Sequence, residues 1–112
     1  MSQLTTHVLD TSRGVPAAGI PVLLIGGPAD HRRELARGMT NADGRVPDLL
    51  PSEKILEPGI YQLRFEAKAY FDSLQIRSFY PFVEISFEIS SREHYHVPLL
   101  LSPFGFSTYR GS

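Results

Sequence analysis

Two stretches of the chain alternate cleanly between apolar and polar residues. In FVEISFEIS, Val83, Ile85, Phe87 and Ile89 are interleaved with Glu84, Ser86, Glu88 and Ser90, which is the period of a strand with one face buried and the other wet. IYQLRFE repeats the pattern, with Tyr61, Leu63 and Phe65 against Gln62, Arg64 and Glu66 after the turn pair Pro58-Gly59. The run IPVLLI, 20–25, is apolar throughout, so it predicts a strand covered on both faces by a second sheet or by a partner subunit. RELARGMT is strand-like, and Asn41-Ala42-Asp43-Gly44 marks a tight bend that sets Arg45 just beyond it, with a loop over 46–57. AKAYFDSL, 67–74, has the length of about two helical turns, too short to persist without packing against strands.

Nine Gly and nine Pro fall in clusters between these short runs, the punctuation of an all-β sandwich. The 112 residues are expected to form one domain, 1–112, because the length is that of a single core. A chain of this size buries roughly two thirds of the surface its unfolded form exposes, enough for a sandwich without disulfides or a structural metal. There is no cysteine, which excludes a disulfide scaffold, a thiol nucleophile and a thiolate zinc site. A net charge of −1 gives no single-signed field, so nucleic acid is not an expected partner. No run approaches the roughly 20 apolar residues of a membrane span, and MSQLTTHVLD has no basic or apolar leader pattern. The expectation is a cytoplasmic protein with no membrane partner.

Chemistry concentrates in EHYHVPLLLSPFGFSTYRGS. Strand alternation assigns Tyr95, Val97, Leu99 and Leu101 to the core and His94, His96 and Pro98 to the opposite face. In QLTTHVLD the same rule sends Leu4, Thr6 and Val8 one way and Thr5, His7 and Leu9 the other. If the two strands are neighbours, His7 and His96 come within reach of one small molecule. Histidine titrates near neutrality and can give or take a proton, and a nearby guanidinium favours its neutral, basic form. Arg45 can supply that charge, orient a carbonyl and stabilise an oxyanion. Two imidazoles and a guanidinium suffice for hydrolysis with no metal and no cofactor.

Blander readings of the same residues stand beside this one. A histidine on a strand is commonly a surface or interface residue, His31 in PADHRRE reads as solvated, and an arginine after a turn is commonly just exposed. His94 is either a rim residue or a partner for His96. His-x-His on a strand can also present two imidazoles to zinc with His7 as a third ligand, although no carboxylate or further histidine stands nearby in sequence to complete the set. Gly-x-Ser-x-Gly and Gly-rich phosphate loops are absent. A non-catalytic carrier on the same sandwich is the alternative from another class.

Four blocks carry a family pattern over nearly the whole chain: LTTHVLDTSRGVPAAGIPVLL, MTNADGRVPDLL, PGIYQLRFEAKAYF and HYHVPLLLSPFGFSTYRGS. They resemble the 5-hydroxyisourate hydrolase family, the transthyretin-like proteins. The first three share their cadence with carboxypeptidase regulatory-like and other prealbumin-like modules. The closing Tyr109-Arg110-Gly111-Ser112 is the feature that separates the hydrolases from transthyretin, the hormone carrier. Phe104 and Phe106 stand where the family often has tyrosine, a change in packing. The resemblance implies catalytic roles for His7, Arg45 and His96 and substrate binding by Tyr109, Arg110, Gly111 and Ser112. It also implies two four-stranded sheets with one short helix, and a homotetramer built as a dimer of dimers with sites between dimers. The implied substrate is the purine-derived 5-hydroxyisourate of urate degradation, opened to 2-oxo-4-hydroxy-4-carboxy-5-ureidoimidazoline.

Overall fold

In the computed structural model, which describes residues 2–112, eight strands and one helix follow in the order β1 (Leu4–Asp10), β2 (Val15–Pro16), β3 (Pro21–Gly26), β4 (Arg33–Met39), β5 (Gly59–Phe65), α1 (Ala67–Ser73), β6 (Val83–Ile89), β7 (Tyr95–Ser102) and β8 (Gly105–Thr108). They build two four-stranded sheets, ordered β2-β1-β7-β8 and β4-β3-β5-β6. The all-β sandwich with one short helix expected from the sequence is thus the observed architecture.

The alternation of the sequence decides which side of each strand is buried. Leu4, Val8, Leu99 and Leu101 from the first sheet share one core with Val22, Leu24, Leu63 and Phe65 from the second. The outward positions of β1, Thr5, His7 and Leu9, are only half-buried. Along β3 the first sheet covers one face: Val22 and Leu24 are fully buried, whereas Pro21, Leu23 and Ile25 remain half-exposed within the protomer. β2 and β8 lie at the edges of their sheet; both are short and largely exposed, so they lack the apolar alternation that would announce them.

Packing rather than capping holds α1. It has no side-chain N-cap bond, and it buries Ala67, Tyr70 and Phe71. The Tyr70 hydroxyl donates to Asp10 Oδ2 at 2.7 Å. Asp10 is wholly buried, and its other oxygen accepts from the Ser12 hydroxyl at 2.6 Å and from the Ser12 and Arg13 amides at 3.0 and 3.3 Å. Burial works to raise the carboxyl pKa, but the hydrogen bonds from Ser12, Tyr70 and Arg13 outweigh it and hold Asp10 below the ordinary carboxylate range. This network closes the end of β1, so the strand that carries His7 is anchored below the site. No helix among the described residues is long and apolar enough to cross a membrane.

Candidate functional site

β1 and β7 are neighbours and run parallel, with Thr5 opposite His96 and His7 opposite Pro98. His7 and His96 therefore stand on the same outward face, two residues apart along adjoining strands. Strand rise and spacing put their Cα atoms on the order of 8 Å apart, close enough for both side chains to reach one small molecule.

Arg45 joins them from the bend after β4. The Asn41 side chain accepts from the amides of Asp43 at 2.9 Å and Arg45 at 3.1 Å, closing the turn locally. Gly44 holds φ +76°, and a Cβ there would collide with the Val8 carbonyl, so a side chain is excluded on two counts. In return the Gly44 carbonyl accepts from the Val8 amide at 2.8 Å, and Arg45 bridges to His7 in antiparallel fashion. The turn is thus stitched onto the outer edge of β1. The Arg45 side chain is exposed and makes no hydrogen bond or ion pair with another described residue, which leaves its guanidinium free for a ligand.

The tail closes the other side. The antiparallel register of β7 and β8 continues past Thr108 to a bridge between His96 and Gly111, and the Gly111 amide donates to the His96 carbonyl at 2.8 Å. Gly111 lies so close over the imidazole that a Cβ would stand 2.5 Å from His96 Cδ2 and 3.2 Å from Pro98 Cγ. Its neighbours are placed differently. The Arg110 guanidinium pairs with Glu93 at 2.6 Å, donates to the His94 carbonyl at 3.1 Å and lies 4.4 Å over the Tyr95 ring. It pins the tail and is not free beside Arg45. Tyr109 is 59% exposed; together with Arg110, His96 and Phe87 it lines a cavity of about 330 Å³ between the tail and β6. Ser112 is exposed and makes no side-chain hydrogen bond among the described residues.

A residue that sequence reasoning passed over sits between the two histidines of the His-x-His pair. The Thr5 hydroxyl is 2.8 Å from His96 Nδ1 and 3.1 Å from His94 Nε2, and His94 Nδ1 is 2.9 Å from the Ser2 carbonyl. The rings of His94 and His96 stack at 6.4 Å. Both nitrogens of His94 are therefore occupied, which leaves it none for a zinc ion. No group of three or more His, Asp or Glu among the described residues is arranged to hold a metal. Thr5 was visible as a neighbour of His7 on the outward face, but its place beside His96 depends on strand register, which no single sequence discloses.

Electrostatics favour a neutral His96. Burial holds its pKa below the ordinary histidine range, and the Arg45 guanidinium, together with the neighbouring imidazoles of His94 and His7, works in the same direction, opposed by its contact with Thr5. At neutral pH the ring is a base beside a free guanidinium. His31 lies exposed in the segment before β4, outside this cluster.

Similarity to known proteins runs the length of this frame. A probable 5-hydroxyisourate hydrolase of Schizosaccharomyces pombe is 48% identical over 112 residues, covering 97% of this chain and 90% of the relative. The structure of Klebsiella pneumoniae 5-hydroxyisourate hydrolase superposes with a TM-score of 0.85 at 40% identity, covering 100% of this chain and 94% of the other. Sea bream transthyretin, solved in complex with thyroxine, superposes as well, at TM-score 0.89 with 28% identity over 97% of this chain and 94% of its own. Backbone shape is thus common to hydrolases and a thyroxine-binding protein, and the side chains on the outer face must separate them. With residues 4–111 matching the family model over both sheets and the tail, the chain belongs to the HIUase/Transthyretin family.

Proposed function

We propose that this protein is a 5-hydroxyisourate hydrolase, one catalytic domain over 1–112 that opens its substrate with water and with neither metal nor cofactor. The observation that carries this reading is the meeting of His7, His96, a free Arg45 and the Gly111 backbone on one outward face. A carrier of apolar or aromatic ligands has no use for two imidazoles and an uncommitted guanidinium there. The identity to hydrolase-named relatives supports the same assignment.

In this reading one imidazole takes a proton from water as the oxygen attacks the amide carbonyl of the six-membered ring. The carbon–nitrogen bond then breaks, and the other imidazole returns a proton to the departing ring nitrogen. Arg45 orients the carbonyl and offsets the charge that develops on its oxygen. The product is 2-oxo-4-hydroxy-4-carboxy-5-ureidoimidazoline, with one water consumed. Tyr109 to Ser112 complete the wall of the pocket around His96. On a lone protomer this face is open to water, so the reading includes a homotetramer, a dimer of dimers whose facing sheets enclose the sites.

The test is the decay of freshly generated 5-hydroxyisourate, followed by absorbance with and without the protein and with exhaustive chelation. Catalysed decay that is unaffected by chelator is expected. Decay at the spontaneous rate would overturn the hydrolase assignment, and loss of activity on chelation would overturn the metal-free mechanism.

A further inference from the structure

The chain of contacts running from His96 through Thr5 to His94 fixes more than the position of the ring. The Ser2 carbonyl can only accept a hydrogen bond, so His94 Nδ1, 2.9 Å away, carries the proton. A neutral His94 then has a bare lone pair on Nε2, and among the described residues the donor facing it is the Thr5 hydroxyl at 3.1 Å. Thr5 has a single hydroxyl proton. Once that proton is directed at His94, Thr5 can only accept from His96 Nδ1 at 2.8 Å. The opposite arrangement, with Thr5 donating to His96, sets the lone pairs of His94 Nε2 and the Thr5 oxygen against each other with no proton between them.

From this we infer that Thr5 and His94 are positioning residues that hold His96 as the Nδ1–H tautomer, with Nε2 bare and available as the general base. The inference rests on the hydrolase reading only for its catalytic consequence. It also divides the labour of the two site histidines: His96 removes the proton from water, which leaves His7 to protonate the ring nitrogen. His94 does not touch the substrate in this scheme. It acts through the Thr5 hydroxyl, much as a buried acceptor behind a catalytic histidine fixes which nitrogen bears hydrogen.

The relay has a built-in reversal. A protonated His94 donates from both nitrogens, the Thr5 hydroxyl turns to donate to His96 Nδ1, and a neutral His96 then carries its hydrogen on Nε2, where it cannot accept. Tautomers must therefore be compared at about pH 8, above the ordinary imidazole range.

Nitrogen-15 NMR of histidine-labelled protein reads this directly, with no substrate present. The wild-type protein is expected to show His96 with Nδ1 protonated and Nε2 bare. Thr5→Val keeps the branched shape and removes the hydroxyl; it is expected to shift His96 toward the Nε2–H form and to lower kcat by about 10²-fold with little change in KM, within the roughly 10⁴-fold ceiling for a wrong tautomer. Thr5→Ser should restore both the tautomer and the rate. His94→Phe, which keeps the stacking but frees the hydroxyl to rotate, is expected to shift His96 in the same direction as Thr5→Val. An Nε2–H His96 in the wild-type protein, or an unchanged tautomer in Thr5→Val, would overturn the inference. Because the spectrum needs no turnover, the expected tautomers in a protein inert toward 5-hydroxyisourate would uphold the relay while defeating the hydrolase reading. Brisk turnover beside an Nε2–H His96 would do the reverse.

Discussion

Gly111→Ala adds one methyl group at the point where the tail crosses His96. A Cβ there stands 2.5 Å from His96 Cδ2, against an ordinary contact of 3.4–4 Å, so either the imidazole or the tail must give way by about 1 Å. His96 is held by Thr5 at 2.8 Å, and the tail by the Gly111 amide to the His96 carbonyl at 2.8 Å; either displacement lengthens one of these bonds. A misplacement of about 1 Å at a reacting group costs on the order of 10²-fold in rate. The fold should hardly notice. Gly111 does not require a positive φ and is half-exposed, so the clash is relieved by local movement of the tail or the ring, at a cost to stability of about 1 kcal/mol or less. Initial rates of 5-hydroxyisourate decay, paired with a thermal melt, separate the two effects. The expectation is a rate down by about 10²-fold at a nearly unchanged Tm. Wild-type turnover at an intact Tm would refute the claim that close packing of the tail on the imidazole sets the working geometry.

His7→Ala and His96→Ala should each slow turnover by roughly 10²–10⁴-fold and leave the melting curve in place; near-normal rates in both would remove the acid-base assignment. Because His96 is held below the ordinary histidine range by burial first and by Arg45 next, the acid limb of the pH–rate profile should fall below pH about 6.5. The residual activity of Arg45→Gln should show that limb displaced upward. Asp10→Ala strips the acceptor from Ser12, Arg13 and Tyr70 in a buried setting and should cost roughly 2–4 kcal/mol in urea denaturation. Asp10 has a folded pKa below its unfolded one, so its contribution is present above the unfolded value near 3.8 and is lost as pH falls through the lower folded value. Stability of the wild-type protein should drop across that acid window, and that of Asp10→Ala should drop less.

Much of the sandwich was legible because strand burial repeats every second residue. Val83 to Ile89 and Tyr61 to Phe65 declare their faces without reference to anything else in the chain. So do β1 and β7, which is why His7 and His96 could be assigned to outward faces before their neighbours were known. The helix needed more than its own sequence, since Ala67–Ser73 lacks a side-chain cap and depends on burying Tyr70 and Phe71. The site was only partly legible for a related reason. Arg45 could be set after a turn by the Asn-Ala-Asp-Gly signal, but its bridge to His7 is a tertiary contact. Thr5 beside His96 follows from the parallel register of two strands far apart in sequence, and Arg110 reaching Glu93 and Tyr95 follows from the path of the tail. The family pattern named both residues' neighbourhoods and could say nothing about which way either side chain turns.

The parallel pairing of β1 with β7 joins segments about ninety residues apart, as the 91-residue separation of Thr5 and His96 records. A nascent chain holds the histidine of its first strand long before the other imidazole has been translated, and no partly synthesised polypeptide can assemble the pair. Contacts of such long sequence range also form late and slowly in folding. On the proposed assignment, hydrolytic competence belongs to the finished sandwich alone, and its appearance during refolding should mark completion of the first sheet rather than early collapse.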